Sequence, residues 1–149
     1  MLFRSIQTGI RIVPIPGATA LISALSVSGA PTDCFTFEGF PPRKRVARQR
    51  WFRSLQENER TILFYESPHR LVACLEDLQN ILGDRSIVIA RELTKTHEEI
   101  LRGKITEILG LLKNKKILGE ITVIIEGQKR RKKDKRGTGF AGSSAGPRA

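Results

Sequence analysis

Cysteine is scarce. Only Cys34 and Cys74 occur in 149 residues, which excludes a disulfide scaffold and a four-thiolate zinc site. Long apolar runs are missing too. Stretches such as Ile87-Val88-Ile89-Ala90 suit a strand and fall far short of a bilayer crossing, so no membrane span is expected. Met1-Leu2-Phe3-Arg4-Ser5 leads into no apolar run of signal-peptide length, and two scattered thiols fit a reducing compartment. The expectation is a cytoplasmic protein with both thiols free. His69 and His97 lack metal-type spacing with acids or thiols, so no metal is expected. The glycines form neither a Walker loop nor G-x-G-x-x-G, and there is no internal repeat.

Positive charge is what the chain has in excess, and its placement matters more than its size. The formal net charge is +11, of which residues 129–149 carry +7. Arg43, Lys44, Arg45, Arg48, Arg50 and Arg53 supply a further +6 with no acid among them, which leaves the rest of the body at −2. Such clusters attract polyanions by counterion release, without reading sequence. Residues 129–149 are a basic run followed by Gly, Ser, Ala and Pro. They cannot bury enough apolar surface to offset the entropy of ordering, and are read as a disordered basic tail.

Hydrophobic spacing divides residues 9–128 into alternating elements. Strands are expected at Ile10–Val13, Phe35–Phe40, Thr61–Tyr65, Ser86–Ala90 and Ile121–Ile125. Helices are expected at Ala18–Ser28, closed by Gly29, and at Arg43–Gln56, with Val46, Trp51, Phe52 and Leu55 facing inward. A third runs from Pro68 through Leu71, Val72, Leu75, Leu78 and Ile81 to Gly83, and a fourth covers Ile105–Leu112. His97–Arg102 reads as a short helical turn. This alternation implies an α/β domain, its largely parallel or mixed sheet covered by helices.

Ligands of open α/β sheets sit beyond the carboxyl ends of the strands. Four segments leave strands there: Pro14–Ala20, Phe40-Pro41-Pro42, Glu66–Arg70 and Arg91–Lys95. Gly17 permits close backbone approach, and the free N–H groups of Ala18–Ala20 at a helix start form a weak polar-ligand site. In the third segment Glu66 can accept a ligand hydrogen bond, Ser67 can cap the helix opened by Pro68, and Arg70 can hold phosphate. A serine nucleophile is not expected, since no G-x-S-x-G elbow surrounds Ser67. Charges packed straight after a buried strand, as in Arg91–Lys95, are either a rim ion pair or a site.

Taken together, Val13-Pro14-Ile15-Pro16-Gly17-Ala18, Phe37-Glu38-Gly39-Phe40, Phe64–Arg70 and Ala90–Lys95 resemble the ribosomal RNA small-subunit methyltransferase I group of the tetrapyrrole-methylase-like superfamily, over about residues 8–128. The resemblance implies the second α/β domain of the tetrapyrrole methylase fold, with S-adenosylmethionine in a cleft between two domains. It implies 2′-O-methylation of a cytidine in small-subunit (16S) ribosomal RNA, and a homodimer. By position, Thr19, Ala20, Glu66 and Leu93 would contact the cofactor. For the general base, the candidates are Glu66, His69, Glu92 and Lys95, with Glu92 and Lys95 preferred. Arg43, Lys44, Arg45, Arg48 and Arg50 would grip RNA phosphates. Against the family pattern, residues 1–8 would be a remnant of the linker or first domain, and the chain a truncated enzyme inactive alone. The competing reading is a non-catalytic RNA-binding α/β module. A tetrapyrrole substrate is disfavoured, because a small ring needs no extended cationic patch.

Overall fold

The computed structural model describes residues 2–113 and 115–129; the expected tail, apart from Lys129, lies outside them. Among the described residues, five helices and five strands follow in the order α1 (Leu2–Gln7), α2 (Ala20–Ser28), β1 (Phe35–Phe37), α3 (Arg45–Ser54), β2 (Thr61–Glu66), α4 (Pro68–Leu82), β3 (Ser86–Arg91), β4 (Glu99–Lys104), α5 (Ile105–Leu112) and β5 (Ile121–Ile125). The strands form one sheet in the order β1-β2-β5-β3-β4. β1 runs parallel to β2, and β5 lies antiparallel to both β2 and β3. β4 pairs antiparallel with β3 at the far edge. The sheet is therefore mixed, as the alternation of elements implies.

Residue parity splits the sheet into two faces. Ile62, Phe64, Ile87, Ile89, Ile121, Val123 and Ile125 point toward α3, α4 and α5 and build the main core with Phe52, Leu71, Leu75, Leu78 and Ile108. Leu63, Val88, Ala90 and Ile124 point the other way, onto Ala24 and Leu25 of α2. α4 forms because apolar residues recur at spacings of three and four behind Pro68, whose missing N–H costs nothing at the first helical position. α2 starts at Thr19, whose hydroxyl accepts from the Ile22 N–H at 3.3 Å, and stops at Gly29 in the left-handed conformation (φ 77°).

Three expectations are corrected. Ile10–Val13 is not a strand: among the described residues no strand pairs with it, the Ile10 N–H donates instead to the Ser5 carbonyl at 3.0 Å, and Ile10 and Val13 are exposed. His97–Arg102 is not a helical turn, because Glu99–Lys104 bonds along β3 as an edge strand. Its half-exposed burial masks the alternation that would have revealed it. Val46 is on the outer side of α3, 72% exposed, while Phe52 and Leu55 face inward as expected.

Candidate functional site

The carboxyl ends of β1, β2 and β3 share one edge of the sheet, where β5 begins. A hollow of about 510 Å³ opens there, within the range of small-ligand sites. Its walls come from four segments: Ala20 at the start of α2, Phe40 after β1, Tyr65 through Pro68 at the β2–α4 corner, and Gly119 through Thr122 leading into β5.

Glu66 is the buried acid of this wall, 2% exposed. Its carboxylate accepts from the Ser67 N–H at 2.7 Å and from Arg70 Nη2 at 3.1 Å. The same Arg70 nitrogen donates to the Pro41 carbonyl at 2.9 Å and the Pro42 carbonyl at 3.4 Å. Through Nη2, Arg70 thus ties the loop after β1 to the corner after β2, with its side chain 25% exposed. Ser67 is the N-cap of α4 in backbone conformation, but its hydroxyl makes no capping bond. Beneath the corner, burial pushes the Cys74 thiol far up, and the neighbouring Glu66 carboxylate pushes it further, so it stays protonated. Both cysteines are free.

Glu92 and Lys95 stand at the rim. The Glu92 carboxylate accepts from the Glu120 N–H at 2.9 Å and from Lys95 Nζ at 3.0 Å, and Lys95 also reaches Glu120 at 3.2 Å. The bond from the Glu120 N–H, then that from Lys95, holds Glu92 below its ordinary pKa. The bonds to Glu92 and Glu120 raise Lys95. Each shift favours the charged form, so the carboxylate is a weaker base and the ammonium keeps its proton. The loop is also strained: Glu92 (φ 50°) and Thr94 (φ 64°) occupy the left-handed region without being glycine.

The basic segment lies on α3 and just before it, packed against α4. Arg43, Lys44, Arg45, Arg50 and Arg53 are exposed. Arg48 is not: it is 4% exposed, and its Nε and Nη2 donate to Asp77 of α4 at 3.0 and 2.5 Å. Arg45 and Gln49 donate to the other Asp77 oxygen at 3.1 and 2.8 Å. Arg48 therefore serves the helix packing and offers no free charge to a phosphate, whereas the other four residues of the expected RNA grip remain on the surface.

Of the expected cofactor contacts, Ala20 and Glu66 line the hollow. Thr19 is exposed next to it, capping α2. Leu93 is half-buried against the α2-side core and is not in the lining. Glu92 and Lys95 are joined to the hollow through Glu120. Sequence reasoning missed Tyr65, Glu120 and Thr122 as lining, and Asp77 as partner of the basic helix. An acid within the apolar repeat of α4 was the available signal for Asp77. No group of three or more His, Cys, Asp or Glu suited to a metal occurs among the described residues.

The family model described as Tetrapyrrole (Corrin/Porphyrin) Methylases matches residues 2–109. Among curated proteins, the chain is 48% identical over 122 residues to "Ribosomal RNA small subunit methyltransferase I" of Thermotoga maritima, covering 82% of this chain and 54% of that protein. It is 44% identical over 131 residues to the protein of the same name from Escherichia coli O157:H7, covering 86% of this chain and 46% of that one. The chain thus spans about half the length of the curated relatives it matches. Among solved structures, the methyltransferase CobJ aligns with a TM-score of 0.62 at 20% identity, over 85% of this chain and 57% of that one. The cobalt precorrin-4 methyltransferase CbiF aligns at 0.59 and 17% identity, over 83% and 55%. These structural likenesses show the fold, which is that of the tetrapyrrole methylases.

Proposed function

Since the chain belongs to the tetrapyrrole (corrin/porphyrin) methylase family, we propose that it supplies one wall of an S-adenosylmethionine site and the adjoining RNA surface of a ribosomal RNA 2′-O-methyltransferase. The observation that carries this is the hollow at the shared carboxyl edge, reached by Ala20 and Glu66 together. A cytidine ribose in small-subunit RNA as acceptor, assembly as a homodimer and action in the cytoplasm belong to the same proposal. Small-subunit ribosomal RNA as substrate draws on the curated relatives named for it, and the cytidine ribose, the homodimer and the cytoplasm draw on the family resemblance of the sequence motifs. Among the described residues, no helix is long and apolar enough to cross a membrane.

The residues present fit the cofactor. The wall is mostly apolar, with Ala20, Pro68 and Ile121, and a few polar groups converge on it from Glu66, Ser67, Glu120 and Thr122. When bound, S-adenosylmethionine supplies an electrophilic methyl carbon for in-line transfer. Thr19 and Ala20 would hold it through the start of α2, where the first backbone N–H groups have no helical partner. Glu66, fixed by Ser67 and Arg70, would accept hydrogen bonds from hydroxyl groups. Leu93 supports α2 from below. Holding donor and acceptor in place accounts for up to roughly 7–11 kcal/mol of the barrier. A ribose hydroxyl also needs a base. Because Glu92 and Lys95 neutralise each other at the rim, we assign them to positioning the Glu120 segment rather than to proton removal.

Backbone-amide NMR tests the cofactor wall. Titrating S-adenosylmethionine into the chain shifts the Ala20, Ser67 and Glu120 amides saturably and leaves those of Lys115 and Ile117, which line a separate hollow, unmoved. Unmoved Ala20, Ser67 and Glu120 at millimolar ligand defeat the proposal. The second reading, an RNA-binding module without catalysis, is favoured by the locked Glu92–Lys95 pair. RNA binding with no response to S-adenosylmethionine would select it.

A further inference from the structure

We propose that Phe40, seated on Tyr65 at the mouth of the hollow, is a stacking platform for an unpaired base of an RNA strand whose phosphates follow the exposed cations of Arg43–Arg53. The inference rests on the RNA reading above and deepens it. Phe40 is 65% exposed and Phe37 43% exposed, and neither ring belongs to a core cluster. The Phe37 and Tyr65 centroids are 4.9 Å apart at 63°, and those of Phe40 and Tyr65 5.6 Å apart at 56°. An aromatic left so open forgoes burial, and contiguous exposed rings mark a binding surface.

The loop that carries Phe40 is fixed on both sides. The Gly39 carbonyl, at a glycine with φ 69°, accepts from the Tyr65 N–H at 2.8 Å. On the other side the Pro41 and Pro42 carbonyls accept from Arg70. Two successive prolines stiffen it further. The ring is thus pre-organised, and little entropy is lost when a planar partner settles on it.

Charge decides what that partner is. The cations begin three residues after Phe40: exposed Arg43, Lys44, Arg50 and Arg53 have no acid between them in the sequence, and Arg45, also exposed, shares Asp77 with Arg48. An apolar protein partner gains nothing from such a row. A nucleic-acid strand uses both features, its phosphates on the cations and its base on the ring, because every base offers a π-face. Duplex bases are already stacked, so the platform selects single-stranded or looped RNA. The adenine of the methyl donor is the other nucleobase within reach, and the experiment separates the two sources.

The test is fluorescence anisotropy with a labelled single-stranded oligoribonucleotide and its duplex, on the whole chain and on Phe40→Ala, Phe40→Trp and Arg43→Ala/Arg50→Ala. The S-adenosylmethionine titration is repeated on each variant, with urea midpoints to confirm folding. Phe40→Ala is expected to weaken single-strand binding about 5- to 100-fold with an unchanged salt slope, while duplex binding stays the same. Phe40→Trp keeps wild-type affinity. The double arginine variant instead lowers the log-affinity against log-salt slope, by about 0.7 for each phosphate no longer neutralised. Single-strand affinity of Phe40→Ala within twofold of wild type overturns the platform, as does abolished S-adenosylmethionine binding with RNA binding intact. If the wild-type chain binds no RNA, the RNA reading itself fails, and this inference with it.

Discussion

Replacing Asp77 by alanine would strip the buried Arg48 of its counter-charge. Asp77 is 1% exposed and Arg48 4%, and their side chains meet through two hydrogen bonds of 3.0 and 2.5 Å. The orphaned guanidinium would keep a 3.4 Å contact to the Ala73 carbonyl. Removing one partner of such a pair costs about 3–5 kcal/mol, mostly as uncompensated charge. For a domain of this size that lowers the melting temperature on the order of 10 °C. Trp51, the single tryptophan, reports the event. It sits on α3 with its ring 4.9 Å from Phe52 and 5.7 Å from Phe64, so urea unfolding of the α3–α4 packing is read by its emission. Arg45→Ala is the control, since its side chain is 72% exposed although it binds the same carboxylate, and exposed pairs contribute under about 1 kcal/mol. The double variant Asp77→Leu/Arg48→Met, which leaves no charge unpaired, should recover most of the stability. If Asp77→Ala falls within about 1 kcal/mol of wild type, or no further than Arg45→Ala, the charge argument is wrong.

Acid should weaken the fold in a defined direction. Burial alone would raise Asp77, but the hydrogen bonds from Gln49, Arg48 and Arg45 outweigh it and set its pKa below the ordinary 3.8. Burial is likewise outweighed at Glu99, by Lys115 and Arg91, so that it titrates below 4.5. A carboxylate depressed in the folded state stabilises fully above its unfolded pKa, and that contribution is lost as pH falls through the folded value. Urea midpoints should therefore hold steady down to about pH 5 and decline below it, and Asp77→Asn should show a shallower decline; equal acid slopes refute the assignment. At the rim, Gly119→Ala is strained twice, since φ is +90° and a Cβ would fall on the Glu92 carboxyl. We expect destabilisation by about 1–3 kcal/mol in urea melts. The S-adenosylmethionine-induced shift at Glu120 should weaken with it, and an unaltered Glu120 response would separate the rim from the hollow.

Much of the architecture could be read from periodicity because burial and pattern agree in the central elements. Thr61–Glu66 and Ile121–Ile125 are covered on both faces and appear as continuous apolar runs. β4 could not be read, since at an edge with one weakly covered face Glu99–Lys104 alternates poorly. Ile10–Val13 has the composition of a strand but no strand beside it among the described residues, and composition cannot supply one. At the site, the Glu66 corner was legible because acid, cap and proline are contiguous. The Arg48–Asp77 pair was not, since its members lie 29 residues apart and meet only once α3 crosses α4. Phe40 was expected at the end of a strand Phe35–Phe40, but β1 stops at Phe37 and leaves Phe40 in the loop that follows. That it rests on Tyr65 follows only from the parallel register of β1 on β2.

The central position of β5 bears on how the chain is made. Among the described strands it is the last in sequence, yet it takes the third of five places, and the β1–β2 and β3–β4 pairs join across it. Until Ile121–Ile125 has emerged from the ribosome, the nascent polypeptide holds two unjoined ribbons, with Leu63 and Val88 each facing an empty lane. Open apolar edges of that kind recruit other chains. A chain cut short before Ile121 therefore leaves both ribbons open along that lane, whereas Ile121–Ile125 joins them and leaves only β1 and β4 as edges.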